Sequence, residues 1–136
     1  MKITVLGGGN GSYAAVADMI EGGHQVTWWR RSKESFAELI DAGGLTIIDF
    51  RGTRKVIPTT TSDLAEAVHG TELILIPTPA NAHEDIANAL SPHVTDGQVI
   101  FLPPGTFGSF LMLKRFRESG ASADVLVAET GTLPWL

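Results

Sequence analysis

The sequence predicts an α/β domain built on a doubly wound, mainly parallel sheet. Three observations predict it. Lys2–Leu6 is a short apolar, β-branched run, and the glycine-rich turn Gly7-Gly8-Gly9-Asn10-Gly11-Ser12 follows it directly. A helical pattern then leads to a second apolar run, Gln25–Trp29. Strand, turn, helix and strand fit into roughly thirty residues, the span of a βαβ unit. Further apolar runs alternate with helical patterns to the end of the chain, as a sheet covered on both faces requires.

Each element has its own signal. Tyr13, Val16, Ala17 and Ile20 repeat at helical spacing, and Gly22-Gly23 stop that helix. Phe36, Leu39 and Ile40 mark a second helix ending at Gly43-Gly44. Leu45–Asp49 and Arg54–Ile57 read as two strands around a turn at Gly52, a small antiparallel insertion after the second helix where the third parallel strand would normally stand alone. Ser62-Asp63 caps a short helix through Val68. Glu72–Ile76 is a buried strand followed by Pro77-Thr78-Pro79-Ala80, and the next helix carries Ala82, Ile86, Ala89 and Leu90 on one face. Gln98–Leu102 is a strand ending in Pro103-Pro104-Gly105; a helix from Thr106 to Glu118 then leads to a last strand, Asp124–Ala128.

Composition narrows the function classes. The chain has 136 residues, 43% apolar and 18% charged, enough for one domain with its own core. Net charge is −5, so the basic cluster Arg30–Lys33 is local and no nucleic-acid partner is expected. There are no cysteines, which removes disulfides, thiolate catalysis and thiolate metal sites together. No pair of carboxylates has spacing that suggests metal or glycosidic chemistry, so no metal is expected. No apolar run approaches the length of a membrane span and no leader precedes the first strand, so the expectation is a cytoplasmic protein with no membrane partner.

The glycine turn carries the first functional expectation. Gly7 permits the tight turn after the strand, and Gly9 lets backbone N–H groups approach an anion without a Cβ in the way. The following helix points its unpaired N–H groups and positive end at that anion. This is the Rossmann device for a dinucleotide pyrophosphate. Ser12 takes the place of the third glycine; the register Gly9-x-Gly11-x-x-Ala14 also fits, but Gly7 directly follows the strand and the first register is preferred. Gly7, Gly9, Asn10, Gly11 and Ser12 are the expected pyrophosphate contacts.

At the end of the second strand, an NAD-binding domain usually carries an acid for the ribose 2′-hydroxyl. Arg30 stands there instead, followed by Arg31, Ser32 and Lys33. Guanidinium–phosphate bonds contribute about 1.5–3 kcal/mol each, so NADP is expected ahead of NAD, with Arg30, Arg31 and Ser32 around its 2′-phosphate. Ligands of open parallel sheets sit outside the carboxyl ends of the strands. Pro77, Thr78 and Pro79 have that address and should lie over the dinucleotide; Pro104 and Gly105 should lie beside its nicotinamide end.

Four segments spread over the chain resemble the opine dehydrogenases, octopine and nopaline dehydrogenases among them. They are Gly7–Gly11, Pro79-Ala80-Asn81-Ala82-His83-Glu84-Asp85-Ile86, Pro104-Gly105 with its helix, and Glu129-Thr130-Gly131-Thr132-Leu133-Pro134-Trp135. The last is similar to that family's Glu-Thr-x-Thr-Leu-Pro-Tyr signature, with Trp135 replacing tyrosine. Arg30-Arg31-Ser32 and Gly44–Ile47 resemble a wider group that includes ketopantoate reductases and glycerol-3-phosphate dehydrogenases. The resemblance implies an oxidoreductase acting on CH–NH bonds, by NAD(P)H-dependent reductive condensation of an amino acid with a 2-oxo acid. In that family a histidine–aspartate pair on a second, helical domain handles the proton. Residues 1–136 are therefore expected to be an NADP-binding Rossmann domain with no catalytic residue and no turnover of its own, the helical domain lying elsewhere or on a separate subunit. Two alternatives stand beside this reading: a non-catalytic NADP(H)-binding or regulatory subunit, and the cofactor domain of a ketopantoate reductase-like enzyme.

Four histidines are the groups suited to proton transfer near neutral pH. His24 and His69 read as helix C-terminal residues, His93 as a solvated linker residue, and His83 as a polar surface position near the cleft. Phe107, Phe110, Leu111, Met112, Leu113 and Phe116 fall on nearly every side of their helix. A helix apolar all round is buried on more than one face, so Phe107–Phe116 is the expected contact for the missing domain or partner subunit.

Overall fold

Strands and helices alternate along the chain in the computed structural model, which describes residues 1–135. In chain order they are β1 (Lys2–Leu6), α1 (Asn10–Glu21), β2 (Gln25–Trp29), α2 (Ala37–Asp41), β3 (Leu45–Asp49), β4 (Gly52–Val56), β5 (Thr59–Thr61), α3 (Leu64–Val68), β6 (Leu73–Leu75), α4 (His83–Leu90), β7 (Val99–Leu102), α5 (Gly108–Glu118) and β8 (Leu126–Glu129). The main sheet has six strands in the order β5-β2-β1-β6-β7-β8, with every neighbouring pair parallel. All carboxyl ends therefore lie along one edge. The chain starts at β1 in the middle, winds out to β5 and crosses back to β6. That reversal opens a crevice between β1 and β6, where such folds bind ligands.

Side chains alternate across the sheet, and each face has its own core. Ile3, Val5, Val26, Trp28 and Leu75 pack under α1, which contributes Ala15 and Val16, with Phe36 beside them. Leu6, Ile74, Ile76, Ile100 and Leu102 face α3, α4 and α5, which contribute Val68, Ile86, Ala87, Leu90, Met112 and Phe116. α1 does not reach the far end of its face. There Val99 and Phe101 are only half-buried and Leu126 is exposed.

Several expectations are corrected. The insertion forms a separate two-stranded antiparallel sheet, β3–β4, in which Gly52 is the first residue of β4 and Phe50-Arg51 make the turn. The third parallel strand is present as well. It is β5, three threonines at the sheet edge paired with β2, with no apolar pattern to announce it. The second helix is a 3-10 turn, Lys33–Phe36, leading into the short α2; Phe36 is buried but Ile40 is 63% exposed. α4 buries Ala87 and leaves Ala89 exposed. α5 begins at Gly108 because Thr106 and Phe107 have φ of 51° and 64°, left-handed backbone that cannot start a right-handed helix. Among the described residues no helix is long and apolar enough to cross a membrane.

Candidate functional site: a cleft at the glycine turn

The turn after β1 is tight at Gly7 and Gly11 and open at Gly9. Gly7 has φ +131°, and a Cβ there would lie 2.7 Å from Thr78 Cγ2 and 2.8 Å from Ser12 Oγ. The strand end, the helix and the loop after β6 thus close on one another at Gly7, with Ser12 in the third glycine's packing role. A Cβ on Gly9, the N-cap of α1, would meet nothing within 4 Å. The space outside Gly9 is free for a ligand. Gly11 turns inward, where a Cβ would lie 3.0 Å from Leu133 Cδ1 and 3.3 Å from Pro77 Cβ. Asn10 is exposed at the start of the helix.

A cleft of about 480 Å³ opens beside this turn, bounded by Gly7, Gly8, Arg30–Ser32, Thr78 and Ile86. Arg30 is only 8% exposed. Its guanidinium carbon lies 4.1 Å from the Trp28 ring centroid, 4.8 Å from that of Phe36 and 4.9 Å from that of Tyr13. This aromatic box holds the cation against the glycine turn, with Nε 3.5 Å from a Cβ built on Gly8. Nη1 donates to the Ser35 carbonyl, while Nε and Nη2 are buried without a partner. Buried donors without acceptors are costly, and a cation most of all. The Oγ of Ser12 and Oγ1 of Thr78 are likewise buried and unpartnered. Three orphaned side chains around one glycine turn fit an anionic, oxygen-rich ligand.

The other expected contacts divide. Arg31 is exposed and reaches α4, where it pairs with Asp85 at 3.1 Å; Ser32 Oγ donates to Glu34. Pro77 is buried and Pro79 exposed. Pro104 and Gly105 stand farther along the edge and do not line the cleft. The Gly105 N–H donates to the Thr130 carbonyl at 2.9 Å, and a Cβ on Gly105 would collide with Glu129.

Two residues differ from their expected roles. His83 is not a surface residue: it is 1% exposed, the first residue of α4, with Nε2 3.1 Å from the Thr78 carbonyl oxygen. Burial there was invisible because its neighbours Glu84 and Asp85 are exposed. Glu129 accepts hydrogen bonds from the backbone N–H groups of Ser109 at 2.8 Å and Phe107 at 3.1 Å. It caps α5 from the end of β8. The Ser109 N–H holds its carboxyl below the ordinary carboxylate range, opposed by burial and helped by the Phe107 N–H and the charge of His83.

A larger concavity, about 620 Å³, opens at the opposite edge between the carboxyl ends of α4 and α5, lined by Asn88, Ser91, Thr95, Asp96, Ser119 and Ser122 among others. None of the orphaned buried atoms identified among the described residues lies there. Size alone does not mark the site.

The family model for ketopantoate reductase PanE/ApbA matches residues 3–106. The chain belongs to this family. Similarity is not confined to that family's namesake. Opine dehydrogenase from Arthrobacter sp. (strain 1C) is 30% identical over 131 residues, covering 95% of this chain and 36% of the relative. Glycerol-3-phosphate dehydrogenase [NAD(P)+] from Thermoanaerobacter sp. (strain X514) is 34% identical over 91 residues, 66% of this chain and 27% of that protein. The solved structure of octopine dehydrogenase with NADH and L-arginine superposes with a TM-score of 0.83 at 25% identity, covering all of this chain and 36% of that one. The chain thus spans about a third of the length of the curated relatives it matches. It has the Rossmann architecture of octopine dehydrogenase.

Proposed function

We propose that this chain is the NADP(H)-binding domain of an opine dehydrogenase-like oxidoreductase. Arg30 is the observation that carries the reading: a buried guanidinium, held by three aromatic rings at the end of β2, with two nitrogens unpartnered beside the glycine turn. A phosphate oxygen there satisfies both donors at once. Arg31 adds a second cation at the mouth of the cleft and exchanges Asp85 for the ligand's phosphate. Gly9 and the first N–H groups of α1 take the pyrophosphate, and Thr78 and Ser12 offer hydroxyls to its neighbourhood. When bound, the reduced dinucleotide supplies a hydride to an imine carbon. This chain's part is to hold and orient it, exclude water from its adenosine half and select for the 2′-phosphate.

Proton handling and the substrate wall belong to residues outside 1–136 in this reading. The exposed Phe107 and Phe110, 81% and 71% accessible, are the surface offered to the helical domain or subunit that carries them. The family match also favours a ketopantoate reductase-like enzyme, which uses the same cleft and differs in its acceptor.

Titration of NADPH and NADH against the chain, read by the fluorescence of Trp29 in the cleft wall, tests the cofactor assignment. NADPH should bind at least about tenfold more tightly, the worth of one charge-assisted bond. High salt and the double change Arg30→Ala, Arg31→Ala should shrink the gap. Equal affinities in the parent chain would contradict it.

A further inference from the structure

His83 lies outside the cleft wall, yet it touches the part of the wall that faces the glycines. A carbonyl oxygen only accepts, so the hydrogen in the bond to Thr78 is carried by His83 Nε2. On its other side the imidazole abuts the first turn of α5: a Cβ on Gly108 would collide with Nδ1 and lie 2.8 Å from Leu102 Cδ2. The ring is therefore a fixed wedge, with one edge on the backbone of α5 and the other on Thr78. Thr78 in turn presses its Cγ2 on Gly7 and carries a buried, unpartnered hydroxyl. Pro77 and Pro79 lack backbone N–H groups, and Thr78 N–H bonds back to the Ile76 carbonyl, 2.9 Å; the Ala82 N–H to the Pro79 carbonyl, 2.9 Å, is the loop's next backbone bond, so the Thr78 carbonyl is held by His83.

We propose that His83 is a positioning residue for the dinucleotide: its Nε2–H fixes the Thr78 carbonyl and so sets the loop after β6 against the glycine turn. The proposal rests on the dinucleotide reading above. It assigns His83 an effect shared by both nicotinamide cofactors, because Thr78 packs on Gly7, in the turn assigned to the pyrophosphate that both carry.

The test compares three variants of the chain by affinity for NADH and NADPH and by thermal unfolding without ligand. His83→Leu fills the space and removes the donor; both affinities should fall about tenfold, with the NADPH:NADH ratio unchanged. His83→Gln places an amide N–H where Nε2 was and should restore both affinities to within about threefold of the parent, even if its melting temperature stays low. His83→Asn is too short to reach Thr78 and should behave like leucine. If the leucine variant does not fold, the glutamine–asparagine pair decides by the same criterion. Parent affinity in folded His83→Leu, no recovery in His83→Gln, a changed cofactor ratio, or failure of all three to fold would each overturn the proposal. Failure of the parent chain to bind either cofactor would overturn the dinucleotide reading itself, a distinct outcome.

Discussion

At the glycine turn after β1, buried polar side chains are left without partners; at the carboxyl ends of β7 and β8 the polar groups are satisfied from within, the orphaned Arg115 Nε lying farther along α5. Arg30 and Ser12 stand against the glycine turn with unused donors, and Thr78 joins them from the loop after β6. At the other end of the same edge, Glu129 accepts from two backbone N–H groups, and Gly105 is bonded to Thr130. That end also presents two large apolar side chains to solvent, Phe107 and Phe110. Since a buried donor without an acceptor costs about 1–3 kcal/mol, the first region fits the ligand site proposed above, whereas the second satisfies its own polar groups.

The largest effect should come from the open side of the glycine turn. A Cβ at Gly9 meets nothing within 4 Å, so the Gly9→Val domain should fold as before by circular dichroism. The branched side chain occupies the space the pyrophosphate needs, so NADPH affinity should fall at least about a hundredfold. Retained binding would break the comparison, because the unsatisfied region would then not be the ligand's place.

Glu129→Gln should do the opposite, changing stability and not affinity. The folded-state carboxyl titrates below its ordinary value, so its contribution is present above pH 4.5 and is lost as the pH falls through the lower folded value. At pH 7 the glutamine variant should be less stable by about 1 kcal/mol in urea unfolding, the scale of a charge at a helix N-terminus. The difference should close as the solution is acidified below that value, and NADPH affinity at pH 7 should not change. A large loss of affinity instead would mean that the two regions are not separable.

The parts of this molecule written in local pattern were legible in the sequence. β1, the glycine turn, α1 and β2 follow from apolar spacing and glycine placement, and the sequence names β2 to the residue. β5 was not legible, since three threonines at an edge bury no periodic face. At the site, Arg30 was named but not its state. Its aromatic box draws on Tyr13 of α1, Trp28 of β2 and Phe36 beyond it, residues whose meeting depends on the packing of one face of the sheet. His83 was misread for the same reason: helical spacing places it beside acidic residues, and only the approach of α5 at Gly108 buries it. Asp85, the partner of Arg31, is far from it in sequence, and the segment that carries it gives no sign of that pairing.

The central claim is that the orphaned polar groups near the glycine turn receive the dinucleotide. Amide and arginine side-chain NMR of the ¹⁵N-labelled chain, titrated with NADPH, tests it most directly. The account predicts shifts at Gly7–Ser12, Arg31, Ser32 and Thr78, and a large downfield move of the Arg30 Nε–H as it gains an acceptor. Shifts confined to the concavity between Ser91 and Ser119, with the Arg30 Nε–H unmoved, would contradict it.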